Sequence, residues 1–227
     1  MEIRDHAPSC GMELLVIGDA ASLRSGIDLT RASGNAVAGF CCDDHEQPID
    51  GVPHLGRLAD LPAVYAEMRA QGLLLSFTDI GQRMNAAQRI AATMPDAVFL
   101  SVIHPTAVIG QGVVIGSGSM IMPGAILEVG AVVGEHVRIG TNASIGAGTH
   151  IGTFVNIGAG TVLDEACHVG TGSAIGIQAG LVKRIVIGTH CVVGHGSMVL
   201  ESVPDLHVAQ GTPAKCVRTR LVGEPHV

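Results

Sequence analysis

The sequence predicts two architectures in tandem. Residues 1–102 form an α/β Rossmann-like module. Residues 103–204 form an all-β left-handed parallel β-helix, and residues 205–227 a C-terminal tail. Three observations predict this. Short apolar runs alternate with helical patterns in the first hundred residues. From Ile103 onward the chain repeats every six residues. The composition is uneven: 31 Gly, no Trp, one Tyr and four Phe in 227 residues, with 47% hydrophobic residues. An ordinary sandwich or bundle leans on aromatic anchors and tolerates less Gly. Without a Gly-X-Y period, and with 10 Pro, the glycines do not make collagen.

In the first module, Glu13–Ile17 is an apolar strand ending at Gly18. Ser22–Ser33 carries Leu23, Ile27 and Leu29 at helical spacing and stops at Gly34-Asn35. Ala36–Cys41 is a second strand, followed by Asp43-Asp44. Leu61–Arg69 and Asn85–Met94 are helical, and Leu73–Phe77 and Ala97–Val102 are strands. Alternation of this kind predicts a small parallel sheet with helices on its faces.

The second part is more regular. Seventeen hexads run in phase from Ile103 to the unit begun by Val199, and every first position is aliphatic. The fifth position is Ser, Thr, Ala or Val in fourteen of them, with Cys167, Ile185 and Cys191 as the exceptions, and the second is Gly in eleven. Each hexad is a short strand plus a corner, and three close a triangular coil of 18 residues. Coils stack at about 4.8 Å. First positions point inward, small fifth positions fill the remaining interior, and Gly helps turn the corners where φ is positive. So narrow a prism has no room for rings. The left hand is assigned from the repeat type, as an exception to right-handed crossovers.

Charge and targeting signals narrow the function. The net charge is −7, the pI about 5.8, and no Lys/Arg block is present. This argues against a nucleic-acid partner. No apolar run spans a bilayer, and MEIRDHAPSC has no signal pattern. A cytoplasmic protein is expected, with its six scattered cysteines as free thiols.

His150 and His168 are 18 residues apart and stack in one outward column. Such a pair can share a proton, bind a metal, pack at a subunit seam or simply be solvated. His195 is third in its hexad, where it either lines a groove or stands exposed at a corner. His136 and His190 are read as surface residues. Cys167 and Cys191 should point inward, and Cys216 has no base in sequence to activate it.

The chain resembles the bacterial sugar O- and N-acetyltransferases, the family of sialic-acid O-acetyltransferases and UDP-amino-sugar N-acetyltransferases. The landmarks are Leu14–Gly18, Phe40 to Asp43-Asp44, Gly51–Gly56, Ile80-Gly81, Ile103–Ala107 and the closing Gly211-Thr212-Pro213-Ala214-Lys215. The resemblance implies a nucleotide-sugar-binding α/β domain and a left-handed β-helix. It also implies a homotrimer with acetyl-CoA, or another acyl-CoA, in the groove between neighbouring prisms. Gly18 would begin the phosphate-binding turn, Asp43 and Asp44 would meet the base or ribose, and Gly56 would lie near the sugar nucleotide. Pro213, Ala214 and Lys215 would lie near the adenine end of CoA. Ile177 and His195 would line the pantetheine path, and Asn156 stands where relatives have the His that faces the thioester.

Two departures accompany the resemblance. Relatives carry a glycine-rich turn ending in His after the first strand, whereas this chain has Gly18-Asp19-Ala20-Ala21-Ser22. Relatives also place a catalytic His and a carboxylate where this chain has Ala147 and Gly148. His150 and His168 are therefore the candidate bases, with Glu165 one coil from the vacated position. The resulting expectation is an acyl-CoA-dependent acyltransferase acting on an amino group of a sugar or nucleotide-linked sugar, with no metal. An amine suits the altered site because its proton can leave after attack on the thioester. Two alternatives stay open. One is a catalytically degenerate homologue that binds or scaffolds. The other is a zinc carbonic-anhydrase-like enzyme, suggested by the spacing of His190 and His195.

Overall fold

The computed structural model describes residues 11–224. The N-terminal decapeptide considered for a targeting signal, and the last three residues, lie outside them. The chain divides into two compact units at Ile103/His104.

The first unit contains β1 (Glu13–Ile17), α1 (Leu23–Ala32), β2 (Ala36–Cys41), β3 (His54–Gly56), α2 (Leu61–Met68), β4 (Gly72–Leu75) and α3 (Ile80–Thr93). The sheet order is β3-β2-β1-β4, with every pair parallel. β1 lies inside the sheet and β4 at its edge; after Glu13 both are apolar, and their Leu, Val and Ile side chains are buried. α1 buries Leu23, Ile27 and Leu29 on one face, as its spacing predicts.

Three details differ from the sequence expectation. α3 begins five residues earlier than Asn85, because the Asp79 carboxylate accepts the Gln82 amide at 2.8 Å and caps its first turn. Ala97–Val102 is not a strand. It meets the sheet through one bridge, Leu73 with Phe99, and the two-residue strand Val102–Ile103 follows. The short β3 was not expected, since three residues carry too little alternation to stand out.

The second unit is the predicted prism. Seventeen two-residue strands run from Val102–Ile103, at the boundary with the first unit, to Met198–Val199. With a C-terminal hairpin they form three sheets of five, eight and six strands. Register follows the coil length: Val132 pairs with His150, Arg138 with Asn156 and Ser144 with Val162. First-position side chains are buried from Ile121 to Val199, whereas Ile109 in the first coil is 39% exposed. Buried fifth-position hydroxyls of Ser119, Thr149, Thr161 and Ser173 donate to backbone carbonyls of the next coil. The Cys167 thiol does the same toward Val182. The hairpin, His207–Gly211 and Ala214–Thr219, extends the eight-stranded sheet through Val208 and Ala209.

The glycines serve two purposes, turning corners at positive φ as expected and allowing close approach between coils. Positive φ falls on the fourth hexad position, from Gly112 to Gly196 in fifteen consecutive hexads, and seven of those residues are not glycine. The eleven second-position glycines have ordinary φ. A Cβ on Gly146 would lie 2.6 Å from the Asp164 carbonyl carbon on the next coil, so these positions are set by close approach. His136 is also corrected: it is buried, with its ring stacked on Phe154 at 4.9 Å between centroids. Among the described residues, no helix is long and apolar enough to cross a membrane.

Candidate active site

The first unit holds a cavity of about 460 Å³ at the carboxyl ends of β1 and β2. Gly18, Asp43 and Asp44 line it, as does Asp19, whereas Gly56, on β3, is not among the lining residues and accepts the Cys42 amide at 3.0 Å. The turn after β1 is closed by carboxylates. Asp19 Oδ1 accepts the Ser22 amide at 2.8 Å, and Asp44 Oδ1 accepts the Ala20 amide at 3.1 Å. Asp43 Oδ1 accepts the Leu58 amide at 2.9 Å. The Cys42 thiol donates to Asp44 at 2.8 Å, which lowers the carboxyl pKa. Burial pushes Cys41 up to about 12 and Cys42 up to about 11, so both thiols stay protonated. The sequence singled out the two aspartates but held no sign that they bond to backbone amides.

In the second unit, Ala147 and Gly148 lie at the corner between the six-stranded and five-stranded sheets. Ala147 follows Ser144–Ile145, and His150–Ile151 comes next. Gly148 has φ of 64°, with nothing within 4 Å of the place its Cβ would take. Sequence reasoning missed one group here. Glu128, an exposed residue on the preceding coil, accepts the Ala147 amide through Oε2 at 3.1 Å. The two are 19 residues apart, just off the 18-residue column, so column counting passes over the pair.

His150 and His168 pair directly across the five-stranded sheet, with ring centroids 6.4 Å apart and planes 28° from parallel. His150 Nδ1 lies 3.0 Å from the Gly148 carbonyl. A carbonyl only accepts, so Nδ1 carries the proton, and the neutral ring keeps Nε2 as its basic nitrogen.

The residues expected along CoA gather at another corner, which follows the eight-stranded sheet. His195 Nδ1 accepts the Ile177 amide at 2.9 Å, and Ile177 is half exposed. The Thr212 hydroxyl donates to the Gly196 carbonyl at 3.3 Å, and the Gly211 amide donates to Ser197 Oγ at 3.1 Å. These two bonds dock the turn that carries Pro213, Ala214 and Lys215 beside His195. Lys215 reaches Glu201 at 3.3 Å. Asn156 is on the eight-stranded sheet, paired with Ala174. The structure thus brings Ile177, His195 and the closing turn together, and it places His150 and His168 on a different sheet.

Among the described residues, no three His, Cys, Asp or Glu side chains come together as metal ligands. His190 and His195 occupy successive corners of the prism, on either side of the strand Val192–Val193.

The fold is a hexapeptide-repeat β-helix with an N-terminal α/β module. The family described as bacterial transferase hexapeptide (six repeats) matches residues 130–165. Among solved structures, the chain is similar to a variant of perosamine N-acetyltransferase from Caulobacter crescentus, determined in complex with CoA and GDP-perosamine. Identity is 26%, the TM-score is 0.85, and the match covers 91% of this chain and 97% of that one. The acetyltransferase domain of PglB from Neisseria gonorrhoeae, in complex with acetyl coenzyme A, shares the fold at 24% identity. Its TM-score is 0.84, with 91% and 100% of the chains covered. WeeI from Acinetobacter baumannii shares it at 20% identity and a TM-score of 0.74, with 90% and 100% covered. No curated protein matches the chain by sequence. The resemblance to sugar acetyltransferases with hexapeptide repeats is borne out, as is the two-part fold.

Proposed function

We propose that the chain is a CoA-dependent N-acyltransferase that moves an acetyl group from acetyl-CoA to an amino group of a sugar-class acceptor. The observation that carries this is the likeness to perosamine N-acetyltransferase, which spans both units at a TM-score of 0.85. The strip of Ile177, His195 and the Pro213-Ala214-Lys215 turn holds the CoA, with Asn156 toward the thioester. The α/β cavity with Gly18, Asp43 and Asp44 holds the acceptor, and Gly56 supports its wall from β3.

The chemistry is amine attack on the thioester carbonyl. The C–N bond forms, a proton leaves nitrogen, and the thiolate of CoA departs with a proton. His150 takes the proton on Nε2, because its Nδ1–H is fixed on the Gly148 carbonyl. His168 supports that ring from one coil away. An amine, unlike a hydroxyl, can release its proton after attack, so a base displaced from the vacated position suffices.

The enzyme works as a homotrimer in the cytoplasm. The six-stranded sheet supports this, since its outward residues include Val108, Ile126, Val162 and Met198, all at least 40% exposed. These side chains form an outward stripe between the Ala147 corner and the His195 corner, interrupted by Ser144 and Gly180. A neighbouring copy covering the stripe would bring the two corners of different copies into one groove.

Two measurements test the reading. Thiol release from acetyl-CoA with a panel of amino sugars should appear, and acetyl-CoA should bind with a Kd of about micromolar order. No thiol release, with no binding at millimolar acetyl-CoA, would identify a non-catalytic scaffold instead.

A further inference from the structure

The α/β cavity differs in one chemical respect from a site built for a phosphate. Such a site offers unoccupied backbone N–H groups and a positive helix terminus to its ligand. Here the chain's own carboxylates have taken that place. Ser22 and Ala20, at the start of α1, donate to Asp19 and Asp44 at 2.8 and 3.1 Å. At α3, whose first turn also lines the cavity, Asp79 takes the Gln82 amide at 2.8 Å. Asp19, Asp43 and Asp44 face one guanidinium, Arg89, so the wall carries two negative charges in excess. A diphosphate entering this cavity meets like charge and finds these three amides already bonded.

The remaining features describe what does fit. Asp19, Asp43 and Asp44 are each bonded to an amide through one oxygen, which leaves a second oxygen to accept from hydroxyl or ammonium donors. Gln82 and Asn85 on α3 add neutral polar groups, and Ile17 and Phe77 supply apolar wall. A volume of about 460 Å³ is large enough for a small polar ligand.

We propose that this cavity selects an acceptor that carries no diphosphate, anchored by hydroxyl and ammonium donors on the Asp19, Asp43 and Asp44 carboxylates. The assignment of the cavity to the acceptor rests on the transferase reading. Its preference narrows the acceptor to a free amino sugar or a related polyhydroxylated amine, as opposed to a nucleotide-linked one. Asp19 and Asp44 are the specificity-determining residues.

The test is equilibrium binding to the full chain without CoA, at low ionic strength, with glucosamine, UDP and GDP as probes. Wild type should bind glucosamine in preference to either diphosphate, and should show no saturation by UDP or GDP at about 1 mM. Asp19→Gly combined with Asp44→Ala removes both carboxylate acceptors and both charges, freeing the Ala20 amide while Ser22 keeps its bond to the carbonyl of residue 19. This variant should bind the diphosphates at least about tenfold more tightly than wild type and lose the glucosamine preference. If its thermal melt shows that it does not fold, Asp19→Asn with Asp44→Asn keeps the hydrogen-bond acceptors and removes only charge. The same direction of change is then expected. Wild type that binds UDP or GDP more tightly than glucosamine overturns the proposal. So does a folded variant that gains no diphosphate affinity, or a wild type that binds none of the three probes. Thiol release is not part of this readout. A chain that shows the preference but never turns over acetyl-CoA therefore fails the transferase reading alone.

Discussion

The ring of His150 is tied to the chain of its own hexad: Nδ1 lies 3.0 Å from the carbonyl oxygen of Gly148. The bond orients the imidazole two residues from Gly148 and three from Ala147, with Nε2 away from the backbone. His150→Ala should therefore lower kcat for amine acetylation by about 10²-fold, with the KM for acetyl-CoA nearly unchanged. His168→Ala, which removes only a stacked neighbour, should cost less. Steady-state thiol release checks both, and equal losses in the two variants would remove His150 from its assigned role.

The Ala147 corner allows a gain-of-function test. Gly148 is at a fourth hexad position with open space around its Cβ, and Asn142 and Phe154 already occupy the same left-handed conformation without being glycine. An aspartate there is tolerated about as well as other Asx residues. Ala147→His with Gly148→Asp should fold and raise kcat by about tenfold or more. Unchanged turnover in the folded double variant would place the reaction away from this corner.

His195 is bonded to the Ile177 amide at 2.9 Å, beside the docked turn that carries Pro213. His195→Ala removes that acceptor and loosens the strip. We expect a rise in the KM for acetyl-CoA of about tenfold with a smaller change in kcat, measured by varying acetyl-CoA at saturating amine.

Gly140 and Gly148, in adjacent hexads, make a controlled pair. A Cβ on Gly140 would come within 2.6 Å of the Ala159 backbone nitrogen, and backbone cannot swing aside. At Gly148 the space is open, and only φ of 64° opposes a side chain. Gly140→Ala should therefore destabilise by about 3 kcal/mol or more, and Gly148→Ala by about 1 kcal/mol. Denaturant midpoints of the two variants check the ranking.

Thiol chemistry provides a test of the first unit. Burial pushes Cys41 up to about 12 and Cys42 up to about 11, from an ordinary value near 9. The folded state favours the protonated thiols. Their stabilising contribution is whole below the unfolded value near 9 and is lost as pH rises from there toward 12. Stability should fall over that window, and Cys41→Ala should flatten the fall. Peptide mapping after alkylation at about pH 8 should find the exposed Cys216 modified well before Cys41, Cys42, Cys167 and Cys191.

Much of the fold was legible because a repeat reports itself many times. Ile145, Ile151 and Ile157 each sit one hexad apart, and each is buried by its neighbours above and below. The same counting placed His150 over His168. It also puts Phe154 one coil after His136, 18 residues on, and the reading of His136 as a surface residue passed over that pair. The counting itself failed for Glu128, because a flexible carboxylate reached an amide 19 residues on.

By itself, the sequence determined the coil and its register. Those properties follow from periodicity and residue type, which need no coordinates. Tertiary structure alone decided which groups occupy which hydrogen bonds. Asp19 and Asp44 read in sequence as two negative charges near a turn, and only the fold shows their oxygens on the amides of Ser22 and Ala20. The reason is physical: Asp44 reaches Ala20 across 24 residues, through a sheet that must form before the two can meet.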